Sequence, residues 1–258
     1  MPIIQAVERA LLILDLFDER TPELKITEIG ARMGLHKSTV HSLVRTLQAR
    51  GYMEQDADSG KYRLGLRLIE KGQQVLQSMD IRQVAKPSLE QFTQRTGQTT
   101  HLVILDGDEG VYIDKVEGEL APIRYSRVGR RVMLHTSSVG KLLSAYQPDA
   151  WLDGLLKRYE FVRLTAKSIT DAVEFRRELE LVRECGYAVD NEENEIGVRC
   201  AAVPVFDHRG HTSAAISVST LRSRVDDRGL ENLIAELQQT AAEVSRRLGY
   251  NLGDKTHL

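Results

Sequence analysis

The chain has 258 residues, 41% hydrophobic and 28% charged, with 35 basic residues against 37 acidic ones. This composition fits a soluble globular protein of one large domain or two ordinary ones, and the longest apolar run, Ala10 to Leu14, is far too short to cross a membrane. The first residues lack a basic stretch ahead of an apolar core, so the expected location is the cytoplasm, and Cys185 and Cys200 are too few for a disulfide framework or a cysteine-based zinc site.

Val7, Ala10, Leu11, Leu14 and Phe17 recur at helical spacing, which predicts an amphipathic helix over residues 5–19 whose apolar stripe needs a partner. Thr27 suits the N-cap of a second, short helix through Met33, and Gly34 can end it in a left-handed conformation. A third helix is expected over 37–50, with Val40, Leu43, Val44 and Leu47 on its inner face and Gly51 as its stop. Short helix, glycine turn and longer helix together form a helix-turn-helix signature. Strand-like residues 52–55 and 61–64 flank a turn-rich loop and read as a hairpin, so residues 1–65 are expected to be a winged helix-turn-helix domain. Residues 66–80 carry Leu66, Ile69, Leu76 and Met79 and read as a linker helix.

The remaining segment, 81–258, has a different rhythm. Ile81, Ala85, Leu89 and Phe92 suggest a helix before Gly97, and the β-rich runs HLVILD and GVYIDKV suggest a hairpin across residues 106–110. Helical patterns are expected at 138–146, 149–159 and 171–185, strands at 187–190, 198–206 and 212–219, and a last helix at 226–248. Strands at both ends of the segment with helices between and after them indicate an α+β domain, an antiparallel sheet flanked by helices.

The third helix is the first candidate site. No Asp or Glu occurs between Ile29 and Met53, although the chain as a whole is nearly neutral. Ser38, His41, Ser42 and Arg45 are spaced to lie together opposite the apolar stripe. An ordinary solvated face mixes both signs of charge, whereas a helix entering a DNA major groove cannot tolerate carboxylates beside phosphates. Small hydroxyls such as those of Ser38, Thr39 and Ser42, with His41 and Arg45, can approach base edges, Lys37 and Arg50 can hold the backbone, and Lys61 and Arg63 would contact DNA from the wing.

A second candidate lies in the later segment. Alternation along the strand puts Ser213, Ala215, Ser217 and Ser219 on one face and Ala214, Ile216 and Val218 on the other. If buried, the first face leaves room and hydroxyl groups for a small oxygen-rich ligand; serines on a water-exposed sheet face are an equally open reading. His135, Thr136, Ser137 and Ser138 precede a helical pattern, so unbonded N–H groups there can attract an anion, and simple N-capping by Thr136 or Ser137 is compatible with that.

The runs AVERAL-x-IL from Ala6, ITEIG-xx-MGL-x-KSTV from Ile26, and GYMEQ followed by KYRLG resemble the IclR family of bacterial transcriptional regulators. HTSSVGK from His135, GYAVDNEE from Gly186 and GVRCAAVPVFD from Gly197 extend the resemblance, in order, over nearly the whole chain. It implies a winged helix-turn-helix, a linker helix and an effector-binding domain of GAF-like fold, acting as a homodimer or a dimer of dimers on a palindromic operator, with repression as the family's commoner mode. It further implies a small organic acid as effector, a 2-oxo or sugar-derived acid, held by the amides of Ser138 and Val139 and by Asp190, Cys200, Ser217 and Ser219. Two positions depart from the family pattern: Ser42, where many members have arginine, and Met133, where proline is common.

Other readings meet specific objections. A nucleophilic set of Cys200, His135 and Asp190 lacks a nucleophile-elbow motif, so no catalytic residue is assigned. A metal site from Asp190, Glu192 and Glu193 is opposed by the lack of a His pair at ligand spacing, and the run 191–193 reads as a solvated acidic loop. No metal or cofactor is therefore expected. A pure assembly module is opposed by the polar strand face.

Overall fold

The computed structural model describes residues 3–18, 20–77, 80–121 and 126–250. The chain divides into two compact units, Met1–Ser78 and Met79–Leu258.

The first unit contains α1 (Gln5–Asp15), α2 (Ile26–Met33), α3 (Lys37–Ala49), the antiparallel hairpin β1 (Met53–Gln55) and β2 (Tyr62–Leu64), and α4 (Arg67–Gln77). The order is that of a winged helix-turn-helix. Its core gathers Ile13, Phe17, Ile29, Val40, Val44 and Met53, and fully burying residues such as Val40 and Val44 stabilises the fold by about 1.5–3 kcal/mol each. Gly34 ends α2 at φ 62, as its position predicts.

Two details differ from the sequence reading. The helix α2 begins at Ile26, not after a Thr27 cap, because the Glu28 carboxylate reaches back to accept from the Lys25 N–H at 2.6 Å. The helix α1 ends at Asp15 and turns Ile13, rather than Val7 and Leu11, into the core. It therefore has two apolar sides, and Ile3, Ile4, Val7, Leu11 and Leu12 remain exposed.

The second unit runs α5 (Asp80–Thr96), β3 (Thr99–Asp106), β4 (Glu109–Val116), β5 (Arg131–Val132), α6 (Ser138–Ala145), α7 (Asp149–Leu156), α8 (Ala172–Cys185), β6 (Ala188–Asn191), β7 (Val198–Phe206), β8 (Thr212–Leu221) and α9 (Asp227–Arg247). Its six strands form one antiparallel sheet in the order β5-β4-β3-β8-β7-β6. On one face α5 and α9 pack over Ile216, Val218, Val203 and Leu102; on the other α6, α7 and α8 pack over Ala215, Ala202, Ala188 and Val103. The two-residue alternation of β8 thus serves two cores. The strand β5, with two residues and no alternation to read, has no counterpart in the sequence reading.

Candidate functional site

On α3, Val40 and Val44 are fully buried, while Lys37, Ser38, His41, Ser42 and Arg45 are exposed and Thr39 is half-buried. His36, which the sequence reading passed over, caps the helix: its Nδ1 pairs with Ser38 Oγ at 2.9 Å. Ser42 Oγ donates to the Ser38 carbonyl at 3.1 Å and Thr46 Oγ1 to the Ser42 carbonyl at 2.8 Å, so both hydroxyl protons are used within the helix. Lys37, Arg45 and Arg50 have no acidic partner among the described residues. The wing differs, since Arg63 pairs with Glu54 at 3.2 Å and Lys61 approaches Glu23 at 3.7 Å. Cationic character is concentrated on the helix.

In the second unit, register aligns Asp190 with Cys200 across β6 and β7, Cys200 with Ser219 across β7 and β8, and Ser219 with Thr99 across β8 and β3. Ser217 and His101 face each other one row away. Asp190, Cys200, Ser217 and Ser219 are each 6% exposed or less, so these serines do not lie on a water-facing sheet. The polar groups satisfy one another: Cys200 Sγ meets Ser219 Oγ at 3.1 Å, Ser217 Oγ meets His101 Nδ1 at 3.3 Å, and His101 Nε2 meets Ser126 Oγ at 2.7 Å. Desolvation, with a smaller contribution from Lys115, pushes the His101 pKa down to about 3, leaving a neutral imidazole. Nothing in the local sequence around His101 marked it, because its role depends on the β3–β8 register.

Asp190 Oδ1 accepts from the N–H groups of Glu193 at 2.7 Å and Asn194 at 3.3 Å. Burial raises the Asp190 pKa to about 7, and the Glu193 charge adds to the rise against the opposing amide bonds and Lys141. The helix α6 packs on β6, β7 and β8 on this side of the sheet. Ser137 is its N-cap and accepts from the Gly140 N–H at 3.0 Å. The Ser138 and Val139 N–H groups have no partner among the described residues, the usual condition of the first turn of a helix. Gly140 is required here: a Cβ would lie 2.5 Å from the Met133 carbonyl oxygen and from Leu134 Cα.

The expectation of a solvated acidic loop after β6 is corrected. Glu193 is buried, and its carboxylate takes the ammonium of Lys141, itself 1% exposed, at 2.8 and 3.0 Å. Glu178 on α8 takes the same ammonium at 2.9 Å. Glu192 has φ 67, the one positive value outside glycine among the described residues, and pairs with Lys167 and Arg222. Only three-dimensional packing brings Lys141, Glu178 and Glu193 together, since they are far apart in sequence.

His135, Asp190 and Cys200 do not form a hydrogen-bonded set. His135 Nε2 donates to the Val162 carbonyl at 2.9 Å, and its Nδ1 accepts from the Tyr159 hydroxyl at 3.0 Å, which fixes the tautomer and uses both nitrogens. Cys200 and Asp190 have the other partners given above. No cluster of three metal-ligating side chains occurs among the described residues.

Two family models match successive parts of the chain. The model described as "Bacterial transcriptional regulator IclR C-terminal" matches residues 73–246, and that described as "IclR helix-turn-helix domain" matches residues 6–57. The chain is 54% identical over 250 residues to the HTH-type transcriptional regulator XynR of Escherichia coli, covering 97% of this chain and 99% of that protein. The crystal structure of Thermotoga maritima IclR is similar with a TM-score of 0.75 and 38% identity, covering 95% of this chain and 99% of the other. An IclR homologue from Microbacterium hydrocarbonoxydans, crystallised in complex with 4-hydroxybenzoate, is similar with a TM-score of 0.81 and 27% identity over 94% of this chain and 98% of its own.

Proposed function

The chain belongs to the IclR family, whose members are DNA-binding transcriptional regulators, and from that premise we propose that it is a cytoplasmic repressor that leaves a palindromic operator in response to a small organic acid. The observation that carries the sensing half is the buried polar row Asp190–Cys200–Ser219, with Ser217 beside it, on the sheet face against which α6 packs. An acid would set its carboxylate on the Ser138 and Val139 amides, where the first turn of α6 carries partial positive charge. Its remaining oxygens would exchange bonds with Asp190, Cys200, Ser217 and Ser219. The Microbacterium relative bound to a hydroxylated carboxylic acid supports this chemistry.

The DNA half rests on α3. Ser38, Thr39, His41, Ser42 and Arg45 would face the major groove, with Lys37 and Arg50 on phosphates and Lys61 and Arg63 in the wing. One such helix reads too few base pairs for specificity, so two copies are needed. The exposed side of α1, with Ile3, Ile4, Val7, Leu11 and Leu12 around a hollow of about 450 Å³, offers the apolar surface for a second copy. A dimer of dimers extends the same scheme.

A thermal-shift screen of small 2-oxo, hydroxy and sugar-derived acids, followed by operator binding at increasing acid concentration, tests the proposal. The expected result is an acid that raises Tm and lowers operator affinity. Full operator affinity at saturating concentration of every stabilising acid would refute it.

A further inference from the structure

Lys141 sits one turn beyond the Ser138 and Val139 amides on α6, with its ammonium almost wholly buried. Burial would push that amine down, but the Glu193 and Glu178 carboxylates outweigh burial and raise its pKa. The buried charge is therefore kept, and it is kept by two different elements. Glu178 comes from α8, and Glu193 comes from the turn after β6. Asp190 is the penultimate residue of β6, at the start of that turn. The Glu193 N–H donates to Asp190 Oδ1 at 2.7 Å, and the Asn191 N–H donates to Glu193 Oε1 at 3.3 Å. One carboxylate thus bonds both the α6 ammonium and the backbone of the turn. Glu192, inside the turn at φ 67, holds a conformation that a residue other than glycine keeps only where its surroundings enforce it.

We propose that Lys141 is a positioning residue for effector recognition: through Glu193 it fixes the distance between the Asp190 carboxyl and the Ser138–Val139 amides, and so sets the length of acid that the site accepts. This rests on the effector reading above and adds to it a determinant of chain length. Lys141 acts through Glu193, since its ammonium bonds run to Glu193 and Glu178. Glu178 is an internal control. It neutralises the same ammonium but makes no bond to the 190–194 turn among the described residues.

The test titrates operator binding by the full chain with straight-chain 2-oxo and polyhydroxy acids of two to six carbons. Wild type should favour one length, and Lys141→Met and Glu193→Gln should change the ratio of half-saturating concentrations between the best acid and its next longer homologue by about tenfold or more. Glu178→Gln should leave that ratio within about twofold, and Ser217→Ala should weaken all lengths together. If Lys141→Met does not fold, Glu193→Gln decides alone, because it keeps the side-chain shape and an oxygen for the ammonium. A common loss at every length for both variants, or a shift of the ratio by Glu178→Gln as large as that by Glu193→Gln, overturns the positioning role and leaves the effector reading standing. A wild type that answers to none of the acids overturns the effector reading and this inference with it.

Discussion

The two polar surfaces of this protein are built in opposite ways. On α3 the polar side chains are exposed, of one sign of charge, and the cations have no acidic partner among the described residues; along β6, β7 and β8 they are buried and already bonded, to one another, to His101 or to backbone amides. A surface of the first kind meets a polyanion with little reorganisation, and its affinity falls steeply with salt. A surface of the second kind admits a ligand only by exchanging bonds, so it selects by how well the newcomer replaces them. Lys141 is the extreme of that second design, a charge tolerated in the interior only because two carboxylates surround it.

The largest effect should come from breaking that pairing. Lys141→Met leaves two acids facing each other without their cation, and the second unit should lose about 3–5 kcal/mol, read by denaturant unfolding. A loss below about 1 kcal/mol would mean that the interior is wetter and the contrast weaker than described. On the exposed surface, Arg45→Ala should cost about 1–3 kcal/mol on the operator and relax its sequence preference, checked against random DNA. Lys37→Ala should weaken all sequences alike and lower the salt slope by about one, and equal losses on specific and random DNA for both variants would place the groove-facing side elsewhere.

A smaller effect separates the interior by pH. The Asp190 pKa is raised from 3.8 to about 7, so the stability that its protonated form contributes is complete below the unfolded value and is lost as pH rises through about 7. Asp190→Asn keeps an oxygen for the Glu193 and Asn194 amides but cannot ionise. Its Tm relative to wild type should therefore rise between about pH 5 and pH 8, and a difference that stays constant or falls would show that Asp190 is ionised throughout. The smallest effect is expected in the wing. Arg63 already spends its charge on Glu54, so Arg63→Ala should cost less on DNA than Arg45→Ala, and a larger loss would move the main contact from helix to wing.

The same contrast explains what could be read from the sequence. The helix-turn-helix was legible because it rests on local signals: the four-residue spacing of Val40 and Val44, the left-handed turn at Gly34, and an absence of acids that needs no folding to see. The alternation along β8 was equally local, and both of its faces are as expected. What escaped depends on register and packing. His101 gains its partners from β8, and Glu193 looks like part of a solvated acidic run until Lys141 arrives from another element. The expected stripe of α1 is right at Leu14 and Phe17, which join the core, and misses at Val7 and Leu11, because both sides of the helix are apolar and periodicity cannot say which residues of two stripes face inward.

The measurement that bears most directly on the division between an exposed DNA surface and a buried sensing row is an effector titration of operator binding by Ser217→Ala and Arg45→Ala, side by side with wild type. Ser217→Ala should keep wild-type operator affinity without effector and need about tenfold more acid for half-release, because a buried bond is lost only from the sensing row. Arg45→Ala should bind the operator about tenfold more weakly while binding the acid, followed by calorimetry, as wild type does. A folded Ser217→Ala protein with the wild-type acid curve, or an Arg45→Ala protein with weakened acid binding and unchanged operator affinity, would contradict that division of labour.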